Sequence, residues 1–319
     1  MEIKLCALIP VYNHAAALMA VVRDANRILP VIVVNDGSTD GVERLLATES
    51  GIEVVTHPCN RGKAEALRSG FRRALELGYS HAVSLDADGQ HLPSDIPKFI
   101  EACHVRPESM LIGVRNFNSP DVPTARRLAN RFSNLWFRIS SGVYLGDTQC
   151  GFRCYPLAAT LRIDARSERY GYELELMVRA AWLDIPLVPI PVGVIYNEAT
   201  VRGSHFRPVV DFLRITRLNA RLLTLAFFVP KPLRAMLSTG VLKGLPFLSK
   251  LKTICRELFS DNMESPGRFA SSISLGIFCG LAPIWGLQTL SALVMAHLLR
   301  LNKVVMVTIC NLSCPPTIP

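Results

Sequence analysis

Several common functions lack their building blocks in this chain. There is no Gly-rich Walker loop and no G-x-G-x-x-G run, which argues against a kinase-like ATPase and a Rossmann dehydrogenase. The nine cysteines form no Cys-x-x-Cys pair and have no His pair nearby. That argues against a zinc site and fits free or buried thiols in a reducing compartment. The opening "MEIKLCALIPVYN" has neither a long apolar core nor a small-residue cleavage site, so it reads as a first strand, not a signal peptide. Charge is sparse, at 19% of residues. Between positions 200 and 260, only Asp211 and Glu257 face eleven Lys or Arg. That window alone holds the chain's net +9. Between 269 and 299 there is no Asp, Glu, Lys or Arg at all.

What is present divides the 319 residues in two. Half are hydrophobic and the mean hydropathy is +0.27, which suggests a soluble domain joined to a membrane-associated part. The uncharged run of 31 residues exceeds the roughly 20 needed for a spanning helix. Its "APIWG" at 282–286 leaves open one span or a broken, hairpin-like pair. The basic window beside it implies a membrane surface. A nucleic-acid partner would leave the adjoining apolar run unexplained. Over 209–225, Arg214, Arg217 and Arg221 share a narrow arc roughly opposite Phe212, Ile215, Leu222 and Leu223. This fits a helix lying on a membrane or one packed on the soluble domain.

The first half alternates strands and helices. Strands are expected at 3–9, 31–36, 52–57, 81–88 and 110–114, with helices at 14–28, 62–78, 93–103, 124–140 and 171–183. A proline-interrupted strand follows at 187–196. Such alternation predicts a parallel sheet with helices on both faces, binding its ligand beyond the carboxyl ends of the strands. Tyr12, Asn13, Asp36, Asp86 and Asp88 all fall at or just past strand ends, on one rim.

The most informative stretch is "SLDADGQHLP", 84–93. If the strand continues, Asp86, Asp88 and Gln90 point the same way. Two carboxylates on one side repel unless a positive charge lies between them, and a hard divalent cation would supply it. A calcium loop does not fit, because His91 and Pro97 stand where Gly and Glu are required. A haloacid-dehalogenase phosphatase motif is weak here, since Gln90 replaces its Thr and three strands precede it.

Five motifs occur in order: "LIPVYN" (8–13), "VVNDGSTDG" (33–41), "NRGKAEAL" (60–67), "LDADGQHLP" (85–93) and "DTQCGFRCY" (147–155). Together they resemble the family 2 glycosyltransferases of the dolichol-phosphate-mannose synthase type, over roughly residues 3–220. The stretch "LGIFCGLAPIWGLQTLSALVMAHLLRLNK" also resembles a bacterial membrane domain of unknown function fused to such transferases. The first resemblance implies a GT-A fold, Rossmann-like with a mostly parallel sheet, and an inverting transfer from a nucleotide-diphosphate sugar (UDP- or GDP-).

By the same resemblance, Pro10, Tyr12 and Asn13 hold the nucleotide, although His14 stands where an acid is frequent. Asp36 meets the base, with Asn35 in place of a frequent second Asp. Asp86, Asp88 and Gln90 hold Mg2+ or Mn2+ and the diphosphate. Arg115, Arg126 and Arg127 approach an acceptor phosphate, unless they form a solvated basic face. Arg202 binds the donor diphosphate, and His205 replaces a lysine in the loop that follows. Lys63 is either a phosphate contact or a first-turn helix residue.

A phosphate acceptor needs no general base. A hydroxyl acceptor does, and Asp147 and Glu173 are the candidates, Glu173 also being readable as an ordinary helix-surface acid. The expected layout is a transferase domain at 1–207, basic juxtamembrane helices at 208–260 and an apolar helical membrane domain at 261–319. The expected site of action is the cytoplasmic face of a bacterial inner membrane, on a lipid carrier such as a polyprenyl phosphate. The alternatives are a hydroxyl acceptor (a glycolipid or diacylglycerol) or a nucleotide-sugar-binding domain that regulates a membrane channel or scaffold.

Overall fold

The computed structural model describes residues 2–117, 122, 124–194, 208–229, 231–241, 246, 249, 266–281 and 287–312. Arg202, His205 and the 282–286 break lie outside them. The chain divides into two compact units, Met1–Leu222 and Leu223–Pro319.

The first unit follows the alternation expected from the sequence. Its elements are β1 (Leu5–Val11), α1 (Ala15–Asn26), β2 (Val31–Asn35), α2 (Val42–Ala47), β3 (Ile52–Thr56), α3 (Lys63–Glu76), β4 (His81–Ser84), a 3₁₀ turn (Pro93–Asp95) leading into α4 (Ile96–Val105), β5 (Met110–Arg115), α5 (Thr124–Ser141), β6 (Arg153–Pro156), the short α6 (Leu157–Thr160), α7 (Tyr170–Trp182) and β7 (Leu187–Val192). One seven-stranded sheet runs β3-β2-β1-β4-β6-β5-β7. All its pairings are parallel except those of β6, which runs antiparallel to β4 and β5. This is the mostly parallel α/β sheet of the GT-A class. β2 is buried at all five positions, as an unalternating β-branched run requires of a strand covered on both faces. Pro189 and Pro191 are tolerated because β7 is an edge strand, where a missing N–H breaks no ladder.

Two elements differ from the sequence reading. β4 ends at Ser84, not at 88. Gly89 at φ +74 turns the chain, and the Gln90 N–H closes onto Asp88 Oδ1 at 2.9 Å. Asp86, Asp88 and Gln90 therefore sit on a loop and not on alternating strand positions. β6, at Arg153–Pro156, is not among the strands expected from the sequence. Four fully buried residues carry no alternation by which to recognise a strand.

Beyond β7 comes α8 (Pro208–Phe228), which crosses the division between the units, then α9 (Lys231–Thr239), α10 (Pro266–Leu281), α11 (Gln288–Leu298) and α12 (Lys303–Leu312). α10 to α12 share a small core of Cys279, Ala292, Ala296, Met306 and Cys310. Within the uncharged run, α10 is described to Leu281 and α11 from Gln288, with 282–286 outside the described residues. Among the described residues, no helix is long and apolar enough to cross a membrane.

Candidate active site

The loops after β1 and β2 are cross-braced. Asn13, at φ +54, accepts the Thr39 N–H on Oδ1 at 2.8 Å and donates its own N–H to Ser38 Oγ at 3.1 Å. Asn35 Oδ1 accepts the Ser38 N–H at 3.0 Å. Pro10 lies inside β1 opposite Val34, and Tyr12 is half-buried at its end. The Asp36 carboxylate faces inward. Oδ1 accepts from His57 Nδ1 (2.7 Å) and the Arg61 N–H (2.9 Å), and Oδ2 from the Gly62 N–H (2.7 Å). It therefore pins the 57–62 segment, and with it the start of α3.

That start carries Lys63, whose Nζ lies 2.6 Å from Asp86 Oδ1 and 3.0 Å from Glu173 Oε2. Both sequence readings of Lys63 missed this pairing. The positive charge that Asp86 was expected to borrow from a metal is already built into the chain. Burial alone would raise the Asp86 carboxyl, but Lys63 and His91 outweigh it and hold the group well below the usual carboxylate range. Burial acts to lower the Lys63 ammonium, yet Asp86 and Glu173 push it well above its ordinary value. The pair is therefore an ion pair at neutral pH. Asp88 is different. Burial and the charge of Asp86 lift it to about 6.

Glu173 is not a helix-surface acid. It is 6% exposed in the first turn of α7. Its Oε1 is buried without a hydrogen bond, 3.7 Å from Arg153 Nη1. Arg153 is itself 2% exposed and donates to the carbonyls of Cys150 (2.7 Å), Thr148 (3.0 Å) and Glu173 (3.2 Å). It thereby shapes the "DTQCGF" turn from within. Gly151 in that turn is required by proximity, since a Cβ there would collide with Asp86 Oδ2. His91 sits 3.9 Å away on the same side of Asp86, with burial pushing its imidazole down.

Asp147 is fully buried. Arg115 grips it with two donors, Nε to Oδ2 at 2.7 Å and Nη2 to Oδ1 at 3.1 Å. The Gln149 N–H adds a third bond to Oδ1 at 3.0 Å. Asp147, the sequence reading's candidate base for an acceptor hydroxyl, is thus turned toward Arg115 and Gln149 within the protein. Arg115 is correspondingly committed, and its guanidinium also lies over Phe117. Arg126 and Arg127 lie in the first turn of α5, Arg126 exposed and Arg127 half-buried. The structure thus brings Asp86 and Glu173 onto Lys63, with Asp88 within reach of the Asp86 and Lys63 charges and Gln90 on the same loop, while Asp147 and Arg115 form a separate bidentate pair. Lys63, His91, Gly151 and Arg153 are the contributors the sequence reading missed. The only signal for Lys63 was the uncompensated charge of Asp86 and Asp88.

Two carboxylates and an amide cannot cage a metal alone, and among the described residues no three His, Cys, Asp or Glu are grouped to do so. They do fit a hard cation that takes its remaining ligands from water and a substrate diphosphate. Asp88, raised to about 6 by burial and by the charge of Asp86, gains most from added positive charge.

Comparison with known proteins gives two family matches. Residues 6–164 match the glycosyl transferase family 2 model. Residues 258–319 match a family described as an uncharacterized protein conserved in bacteria, DUF2062. The chain is 32% identical over 209 residues to an undecaprenyl-phosphate mannosyltransferase of Micrococcus luteus, covering 61% of this chain and 85% of that one. It is 29% identical over 217 residues to a polyprenol monophosphomannose synthase of Mycolicibacterium smegmatis (63% and 82%). It is 26% identical over 222 residues to a UDP-N-acetylglucosamine–dolichyl-phosphate N-acetylglucosaminyltransferase of Methanococcus voltae (62% and 88%).

Proposed function

The chain belongs to glycosyl transferase family 2, and from that premise we propose that it moves a sugar from a nucleotide diphosphate to the phosphate of a polyprenyl lipid, with inversion. The observation that carries the choice of acceptor is the state of the two candidate bases. Asp147 is held by Arg115 and the Gln149 N–H, and Glu173 has one oxygen on Lys63 and the other buried facing Arg153, so neither presents an open oxygen to an incoming hydroxyl. A hydroxyl must lose a proton as it attacks, whereas a phosphate arrives as the anion and needs no base. The names of the relatives, which act on undecaprenyl, polyprenol and dolichyl phosphates, support the same acceptor class.

In this reading Asn13 and Asp36 keep the nucleotide loops in place through the bonds described above. Lys63 holds Asp86 oriented, and Gly151 leaves room for it. Asp86, Asp88 and Gln90 would hold a magnesium or manganese ion, which when bound offsets the charge of the departing diphosphate. Arg202 adds positive charge to the same group, and Arg126 and Arg127 attract the acceptor phosphate. The basic window at 200–260 and the exposed apolar residues of α10 and α11, among them Phe278, Leu281 and Leu298, support action at the cytoplasmic face of a bacterial inner membrane.

The test is to incubate the purified chain with labelled UDP- and GDP-sugars, a divalent cation and polyprenyl phosphate, then characterise the lipid product. The expected product is an acid-labile glycosyl monophosphate. An acid-stable glycoside formed on a hydroxyl lipid would overturn the acceptor assignment.

A further inference from the structure

The first unit also holds a cavity of about 450 Å3 lined by five arginines. Arg166 and Arg169 come from the segment entering α7, and Arg214, Arg217 and Arg221 from α8. Glu168 is the one acid in the lining. Arg166 is neutralised by Asp164, at 2.9 and 3.0 Å. Among the described residues, no carboxylate pairs with Arg169, Arg217 or Arg221.

The floor is apolar. Leu218 is 8% exposed, and it packs so close to α7 that a Cβ on Gly171 would lie 3.1 Å from its Cδ2. Leu222 is buried too. The apolar face of this helix therefore packs on the domain, and its arginines line a concave pocket rather than a flat membrane-facing stripe. Arg169 stands at φ +49, uncommon for a residue other than glycine, and it contributes to the pocket wall.

Like charges gathered in one cleft repel each other and favour an anion among them. Guanidinium groups pair with phosphate oxygens through two parallel N–H donors. We propose that this pocket binds a phosphate group, and that the phosphate is the headgroup of an anionic lipid. Leu213, 61% exposed beside Arg214 and Arg217, offers apolar surface to the same molecule. The site uses neither sugar nor metal, and none of Asp86, Asp88 or Gln90; Arg169 lies against Gly62, the neighbour of Lys63, so the binding test below is run without transfer.

The test measures binding alone, with no donor sugar present. The full chain in neutral detergent is titrated with short-chain phosphatidylglycerol, phosphatidylcholine or inorganic phosphate and followed by native mass spectrometry. One phosphatidylglycerol should bind, with phosphatidylcholine and inorganic phosphate far weaker. R217Q/R221Q should weaken phosphatidylglycerol about thirtyfold, from two lost charges near an anionic group. R44Q/R72Q, which removes two exposed arginines elsewhere, should leave it unchanged. Should the glutamine pair fail to fold, R217K/R221K, which keeps charge but loses the planar forks, should weaken binding severalfold. Equal loss in R44Q/R72Q, or no loss in either pocket pair, overturns the site. Inorganic phosphate binding as tightly as the lipid overturns the lipid source.

Discussion

Lys63→Met removes the one ammonium that stands between Asp86 and Glu173. At 2.6 and 3.0 Å, and with an effective dielectric of about 20, its gross attraction is roughly 6 kcal/mol to each carboxylate. Desolvation returns most of that. What remains visible is the cost of leaving buried Glu173 and half-buried Asp86 unpaired, about 3 kcal/mol, toward the lower end for a broken buried pair because Asp86 is partly solvated. Each 1 kcal/mol moves the midpoint of a domain this size by about 2–4 °C, so the melting temperature should fall by about 10 °C. Calorimetry on the purified chain measures it. The double variant Lys63→Met/Glu173→Gln should recover part of the loss, because it removes one of the unpaired acids as well. Turnover of the single variant should drop about a hundredfold as Asp86 loses its orientation. A Lys63→Met protein that melts within about 1 °C of wild type and keeps full turnover would refute the claim that this lysine balances the site.

Four further outcomes follow from the same geometry. Gly151→Ala drives a methyl group into Asp86 and should cut turnover about a hundredfold, read in steady-state kinetics beside an intact circular dichroism spectrum. Asp147→Asn should cost about 3–5 kcal/mol of stability by stranding Arg115, measured by denaturant unfolding; selective loss of turnover with unchanged stability would reinstate it as a base. Asp88→Asn should lower cation-stimulated turnover about a hundredfold, measured as rate against manganese concentration, with melting little changed. Glu175 is fully buried and accepts from Arg166 N–H, Ser167 N–H and Arg179. Burial acts to raise its carboxyl, but these donors hold it below its ordinary value. A lowered folded value stabilises above the unfolded value and is lost as pH falls. Glu175→Gln should therefore be less stable than wild type at pH 7, with the gap closing below about pH 4.

Regular elements with strong local signals were legible from residue order. β2 and β3 sit within one residue of the expected ends, since β-branched runs flanked by turn residues leave few alternatives. α3 was readable from its apolar face and Gly78. β6 was not, because a four-residue strand with every side chain buried has no period to detect. The end of β4 was misjudged for a different reason. Alternating acids imitate a strand, but a glycine with positive φ and a side-chain-to-backbone bond made them a turn.

The candidate site shows the same division. The types and order of its residues, from Tyr12 through Asp36 and Asp86 to Asp147, were written in the chain and placed them at strand ends. Residue order alone determined the α/β class, the rim and the family. The partners of each charge did not follow from order. Lys63 meets Asp86 across 23 positions and Glu173 across 110, and Arg115 meets Asp147 across 32. Ion pairs form between groups that the fold brings within a few ångströms, and sequence carries no record of that distance. Only the tertiary structure decided which cation each of these acids meets.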